Sequence, residues 1–171
     1  MSTMLTTLLK AVDSNKLSDF VGDRTGKGVL DLCPLDIDVL VDEALENGEI
    51  EIDKEKNEIK RLKEPESSYY NEKLLNQIKK LIRSYDKDGL NITSSRIQLK
   101  ALDSTGRGYL THDIICTLYY LDECGEVNMY EINVPKKKNR PAHTFKFYTY
   151  LDHQEFGAKA VNDFISKFDT I

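Results

Sequence analysis

Apolar positions divide the chain into segments of helical and strand-like period. Leu5, Leu8, Leu9 and Val12 recur at helical spacing, and Leu17, Phe20 and Val21 follow them. The stretch DIDVLVDEALENGEIEI, Asp36–Ile52, begins as an apolar helix and reaches a glycine. It then changes to the alternation of a strand: GEIEI turns through DKEKN into EIKRL, which predicts a hairpin. In the second half Leu74, Ile78, Leu81, Ile82 and Tyr85 form an apolar stripe. Ile97 and Ala101 mark a shorter helix, with Thr93 or Ser94 near its start. DIICTLYYLDECGEVNM, Asp113–Met129, then repeats the change from helix to strand. GEVNMYEINV turns through PKKKNRP into AHTFKFYTYL, a second predicted hairpin.

The two halves repeat one another. TGKGVL at Thr25–Leu30 returns as TGRGYL at Thr105–Leu110, and the helices behind them align glycine on glycine, Gly48 with Gly125. Each helix is expected to end at its glycine in the left-handed C′ manner. The six-letter loops read as turns. A phosphate loop needs GxxxxGK and a hydroxyl; Gly22–Lys27 is one residue short, and Gly28 stands where the hydroxyl belongs. The second copy has the front of an EF-hand from Asp103, yet Thr105, Arg107 and Ile114 replace its oxygen ligands. Thr111 is expected to cap the helix that follows. Each half therefore reads helix, helix, turn, helix, hairpin.

That order, and above all the junctions LVDEALENGEIEI and LYYLDECGEVNMYEI, resembles the winged-helix variant of the helix-turn-helix. The resemblance implies an α+β fold: two tandem winged-helix-like units, each of helices plus a β-hairpin wing, and a C-terminal helix. The units are placed at residues 1–64 and 71–171, with residues 65–70 as the linker. The tail, DHQEFGAKAVNDFISKFDTI, places Phe156, Ala160, Phe164 and Phe168 four residues apart. This stripe either packs on the second unit or forms a homodimer contact.

Charge separates the two units. The net charge is −5 overall; Met1–Glu64 carries 9 Lys+Arg against 15 Asp+Glu, and Pro65–Ile171 carries 15 against 14. In the resemblance the third helix reads a DNA groove and the wing contacts backbone, which needs cations facing phosphate. The first unit has the opposite sign there: Asp36, Asp38, Asp42, Glu43 and Glu46 on the third helix, Glu49, Glu51 and Asp53 on the hairpin. It reads as a protein-interaction face, with Asp38, Asp42 and Glu46 as its partner-binding acids; Phe164 and Phe168 are the partner-binding residues expected on the C-terminal helix.

The second unit has the cations. Lys136, Lys137, Lys138 and Arg140 crowd its wing between two prolines, and Lys146 lies on the returning strand. Arg107 sits near the turn; Lys79, Lys80, Arg83, Arg96 and Lys100 add charge upstream. His112, Asp113, Thr117, Tyr119 and Tyr120 are the outward candidates on the third helix, a set poor in base-reading side chains. The leading expectation is a non-enzymatic regulator that binds double-stranded DNA through Lys136, Lys137, Lys138, Arg140, Lys146 and Arg107. The alternative is an adaptor or inhibitor that binds a partner protein on the acidic face of the first unit.

Other chemistry is weakly represented. Cys33, Cys116 and Cys124 form no CxxC and no even framework, as expected of reduced thiols in a cytoplasmic protein. His112 and Cys116 are one turn apart without a second ligand pair, so no metal is expected. No nucleophile signature occurs, and neither an enzyme nor a cofactor is expected. No apolar run approaches the ~20 residues of a membrane helix, and MSTMLTTLLKAVDSNK lacks the basic start of a secretory signal.

Overall fold

The computed structural model describes residues 1–20, 34–139 and 141–151, together with Asp163 and Ser166, both of which are helical. Thr25–Leu30, Cys33, Arg140, Phe164 and Phe168 lie outside the described residues. The described chain is α+β, with five α-helices and two small antiparallel sheets. It divides into two compact units. Unit 1 is Met1–Glu72 with Leu110–Tyr120; unit 2 is Lys73–Tyr109 with Leu121–Ile171. The division differs from the sequence boundaries in two ways: residues 110–120 belong with the first unit, and that unit also takes in the expected linker and runs on to Glu72.

In unit 1, α1 (Met4–Ala11) starts at Thr3, an extended N-cap whose side chain accepts from Thr6 N. Its buried Leu5, Leu8 and Leu9 stand at i, i+3 and i+4 and turn one face to the core. A 3-10 turn covers Leu17–Asp19, and α2 runs Pro34–Glu46. Proline suits the opening position, where its missing N–H has no helical partner to lose. Ile37, Leu40 and Ala44 are the buried positions of α2.

The end of α2 follows from Gly48, at φ +64. Glu49 N donates to Ala44 O at 3.0 Å and Gly48 N to Leu45 O at 3.0 Å, the paired bonds of a Schellman cap. The chain then enters the hairpin β1 (Ile50–Asp53) and β2 (Glu58–Arg61), in register Ile50↔Arg61 to Asp53↔Glu58. Asp53 Oδ1 closes its turn by accepting from Glu55 N and Lys56 N. Ile59 N donates to Asn15 O at 2.7 Å, and Lys16 bridges Glu58, so the outer edge of β2 is covered. The core gathers Leu5, Leu8, Leu9, Phe20, Ile37, Leu40, Ala44, Ile50 and Ile59. Cys116, from the helix α5 (Thr111–Glu123), joins it fully buried.

In unit 2, α3 (Glu72–Lys87) buries Leu74, Leu75, Ile78 and Ile82. A two-residue strand, β3 (Ile92–Thr93), precedes α4 (Ser94–Lys100), and Thr93 caps α4 by accepting from Arg96 N at 3.2 Å. β4 (Asn128–Val134) and β5 (His143–Thr149) form the long hairpin, and the sheet order is β3-β5-β4. Ile132, Val134 and Phe147 share one face and form a small cluster with Tyr130 and Phe145. Asp86, on the last turn of α3, accepts from Thr149 Oγ1 at 2.7 Å and Tyr150 N at 2.8 Å and ties the end of the hairpin to the helix.

TGRGYL is a self-contained turn. Asp103 Oδ1 accepts from Thr105 N at 2.8 Å, Thr105 Oγ1 at 2.6 Å and Arg107 N at 3.0 Å. Gly106 stands at φ +82, which a side chain would strain. The hydrogen bonds from Thr105 and Arg107 hold the exposed Asp103 carboxyl below the usual range. α5 begins at the residue expected to cap it: Thr111 is its first residue, and Leu110 O accepts from Asp113 N and Ile114 N. No helix among the described residues is long and apolar enough to cross a membrane.

Candidate functional site

Unit 1 carries a groove of about 840 Å³. Ile37, Val41 and Leu45 of α2 form one wall, Ile50 and Ile52 of β1 the other, and Leu17 and Leu62 complete the apolar lining. Asp38 and Asp42 project from α2 at the rim, Glu51 from β1, and Lys54 just beyond. Helical spacing explains the wall: positions 38, 41, 42 and 45 share one face of α2, 40 and 44 face the core, and the buried Ile37 borders both. Apolar residues are left in water here; Leu45 is 44% exposed and Leu62 51%.

Two of the three acids expected to bind a partner, Asp38 and Asp42, therefore border an apolar cleft. Glu46 is exposed on the last turn of α2 and does not line it. The acidity of the face is smaller than the sequence implies, because Glu49 is not on it. Glu49 is 4% exposed, and both its carboxylate oxygens accept from Thr3 N at 3.1 Å, at the N-terminus of α1. A carboxylate there answers the positive end of the helix. Sequence reasoning missed Val41, Leu45 and Ile52 as site residues; the available signal was an apolar helix with little segregation of polar from apolar positions.

The third helix of the second half is placed differently from expectation. His112 is 5% exposed and Thr117 0%, so neither projects outward; Asp113, Tyr119 and Tyr120 are half-buried. Two further faces of α5 are occupied within unit 1. Asp113 accepts from Asn71 Nδ2 at 3.1 Å, Thr117 Oγ1 accepts from Asn71 N at 3.2 Å, and the rings of Tyr70 and Tyr120 stack at 4.0 Å. Cys116 Sγ donates to Met4 O at 3.5 Å.

Burial governs the titration of this cluster. It pushes the Tyr69 phenol up to about 12, with the Asp113 carboxylate adding to the rise. Burial also raises Asp113 itself, against hydrogen bonds from Asn71 and Tyr69. It pushes the Cys116 thiol far up, out of the reactive range. His112 moves down for the same reason, opposed by Asp113 and Asp36.

Of the six cations expected to meet DNA, five are described. Lys136, Lys137 and Lys138 are exposed in the connection between β4 and β5. Lys146 is exposed on β5 and stands directly opposite Glu131, whose carboxylate offsets its charge on the same face. Arg107 is exposed in the Asp103 turn. Upstream cations are engaged within unit 2: Lys79 pairs with Glu126 at 2.6 Å, Arg83 lies 5.1 Å over the Tyr150 ring, and Lys100 lies 5.3 Å over the Tyr85 ring. The chain matches no known protein family, no curated protein and no solved structure.

Proposed function

We propose that the chain is a non-enzymatic interaction protein that takes a partner protein in the groove of unit 1. The observation that carries this reading is the exposed apolar cleft between α2 and β1 with Asp38, Asp42 and Glu51 at its rim. Exposed apolar surface bordered by polar groups is the mark of an interaction site. The order of elements supports a winged-helix fold for both units. Along the second half of the chain it is helix, strand, helix, helix, strand, strand, with sheet order β3-β5-β4. In unit 1 the bridge Lys16↔Glu58 takes the part that β3 plays in unit 2. On this reading α5 is the third helix of the second module, and the burial of His112, Cys116 and Thr117 removes the side chains that would enter a DNA groove. That favours protein contact over base readout.

The test is selection of a displayed random dodecapeptide library on the immobilised full chain, with counter-selection on Leu45→Glu. Leu45 is half in water, so the variant is expected to keep the far-ultraviolet circular dichroism of the parent. Peptides that bind the parent and not the variant support the reading; no enrichment over the variant refutes it.

A second reading is favoured by the exposed run Lys136–Lys138: the wing holds duplex DNA by its phosphates, with little sequence preference. Fluorescence anisotropy with random duplex DNA, titrated from low to physiological salt, tests it. Binding that weakens linearly in log salt supports wing contact, and absence of binding at low salt ends this reading.

A further inference from the structure

We infer that the groove of unit 1 receives an extended basic peptide segment, which adds to the outer edge of β1 as a third strand. The inference rests on the reading of unit 1 as an interaction module and specifies what is bound and how.

The register of the hairpin identifies the free edge. Leu62 N donates to Glu49 O at 2.8 Å, so the 49–62 pair is hydrogen-bonded. Alternation along an antiparallel ladder then makes 51–60 and 53–58 the hydrogen-bonded pairs. Ile59 N donates away from β1, to Asn15 O, as that phase requires. By the same alternation the backbone N–H and C=O of Ile50 and Ile52 point away from β2. Among the described residues no strand lies on that side: the sheet is β1-β2, and the one bridge added to it is on β2.

The groove follows this edge. Consecutive β1 residues Ile50, Glu51 and Ile52 line it; from the β2 side only Leu62, just past the end of the strand, and Leu17 reach it. Side chains of both parities border the cavity only where it runs beside the strand rather than over one face. Its size fits. With a rise of ~3.3 Å, strand spacing of ~4.8 Å and layers ~10 Å apart, one strand residue fills about 160 Å³. A cavity of about 840 Å³ thus takes about five residues, and β1 itself has four.

Charge names the chemistry of the occupant. Three carboxylates, Asp38, Asp42 and Glu51, face one ammonium, Lys54, around an apolar floor. The complement is a segment whose apolar residues alternate with Lys or Arg, one set against Val41, Leu45 and Ile52, the other toward the carboxylates. Main-chain hydrogen bonds would supply affinity and the alternate side chains the specificity.

The dodecapeptide selection also tests this inference, by the sequences it returns. Peptides that alternate apolar with basic residues are expected. The best is then made as a fluorescein-labelled synthetic peptide and its amides are N-methylated one at a time. Methylation at every second position is expected to weaken binding about fivefold or more, and at the intervening positions hardly at all. Asp38→Lys with Asp42→Lys is expected to weaken it about tenfold at low salt. Selected peptides with apolar residues at i, i+3 and i+4, selected acidic peptides, or indifference to methylation would each overturn the added strand while leaving the interaction reading intact. Failure to select any Leu45-dependent peptide would remove both.

Discussion

Replacing Glu49 should damage unit 1 far more than replacing its neighbour Glu46, although both belong to one acidic stretch. Glu49 is 4% exposed and both oxygens accept from Thr3 N at 3.1 Å. Thr3 is itself buried, at 5%, and caps α1. In Glu49→Ala the Thr3 N–H loses a charge-assisted acceptor in a site closed to water, and α1 loses an anion at its positive end. The first term is about 1.5–3 kcal/mol and the second about 0.3–1 kcal/mol, so a total near 3 kcal/mol is expected. In a chain of this size that lowers Tm by about 6–12 °C. Glu49→Gln keeps one acceptor oxygen without the charge, and a loss of about 1–2 kcal/mol is expected. Glu46→Ala is exposed and should stay within about 0.5 kcal/mol of the parent. Urea unfolding followed by circular dichroism gives the three values, and hydrogen exchange of the α1 amides locates the loss. If Glu49→Ala unfolds with Glu46→Ala and the parent, or if α1 exchanges no faster, the capping role assigned to Glu49 is wrong.

Three other outcomes are expected. His112 should make folding weaken on mild acidification: burial lowers its folded pKa, so below the ordinary histidine value of about 6.5 the unfolded chain takes a proton that the folded chain resists. Urea midpoints at pH 8 and pH 6 should therefore differ more for the parent than for His112→Gln; equal differences would refute this. Asp113 acts with the opposite sign, because burial raises its folded pKa. In a Cys33→Ser background Cys124 should react with a thiol reagent in the native state, and Cys116 only on unfolding, since Cys124 is exposed and Cys116 is buried; two reactive thiols in the native protein would contradict the placement of α5. If the wing holds DNA, replacing Lys136, Lys137 and Lys138 together by alanine should reduce the slope of log affinity against log salt by about 2.7; an unchanged slope would remove these lysines from the contact.

Local chemistry made much of the fold legible in the chain. The 3.6-residue period located α1, α2, α3 and α5, and the change to period two behind Gly48 and Gly125 located both hairpins. The glycines ended the helices as expected, at φ +64 and +68, because a left-handed residue is the sterically simple way to leave a helix. TGRGYL was legible as a turn for the same kind of reason: an Asp bonding its own loop and a glycine at positive φ are local events. β3 was not legible, since two residues have no period, and they become a strand only by pairing with Phe147 and Tyr148. The candidate site was half legible. Asp38 and Asp42 were found as exposed acids, whereas Val41, Leu45 and Ile52 became a site only when α2 and β1 left a cleft between them.

By itself, then, the sequence determined what depends on neighbours within a few residues: helix periods and ends, hairpin turns, the acidic sign of the first unit and the basic tip of the second hairpin. Tertiary structure alone decided which charges stand in water and which face of a helix is free. Glu49 and Glu46 are three residues apart and chemically alike, yet one caps α1 and the other is solvated. His112 and Thr117 look like the outer side of an amphipathic helix, yet they are closed off, and the first turns of α5 pack with the N-terminal core within unit 1. The physical reason is that burial and charge compensation depend on what long-range packing brings alongside a residue, and residue order carries no local mark of it.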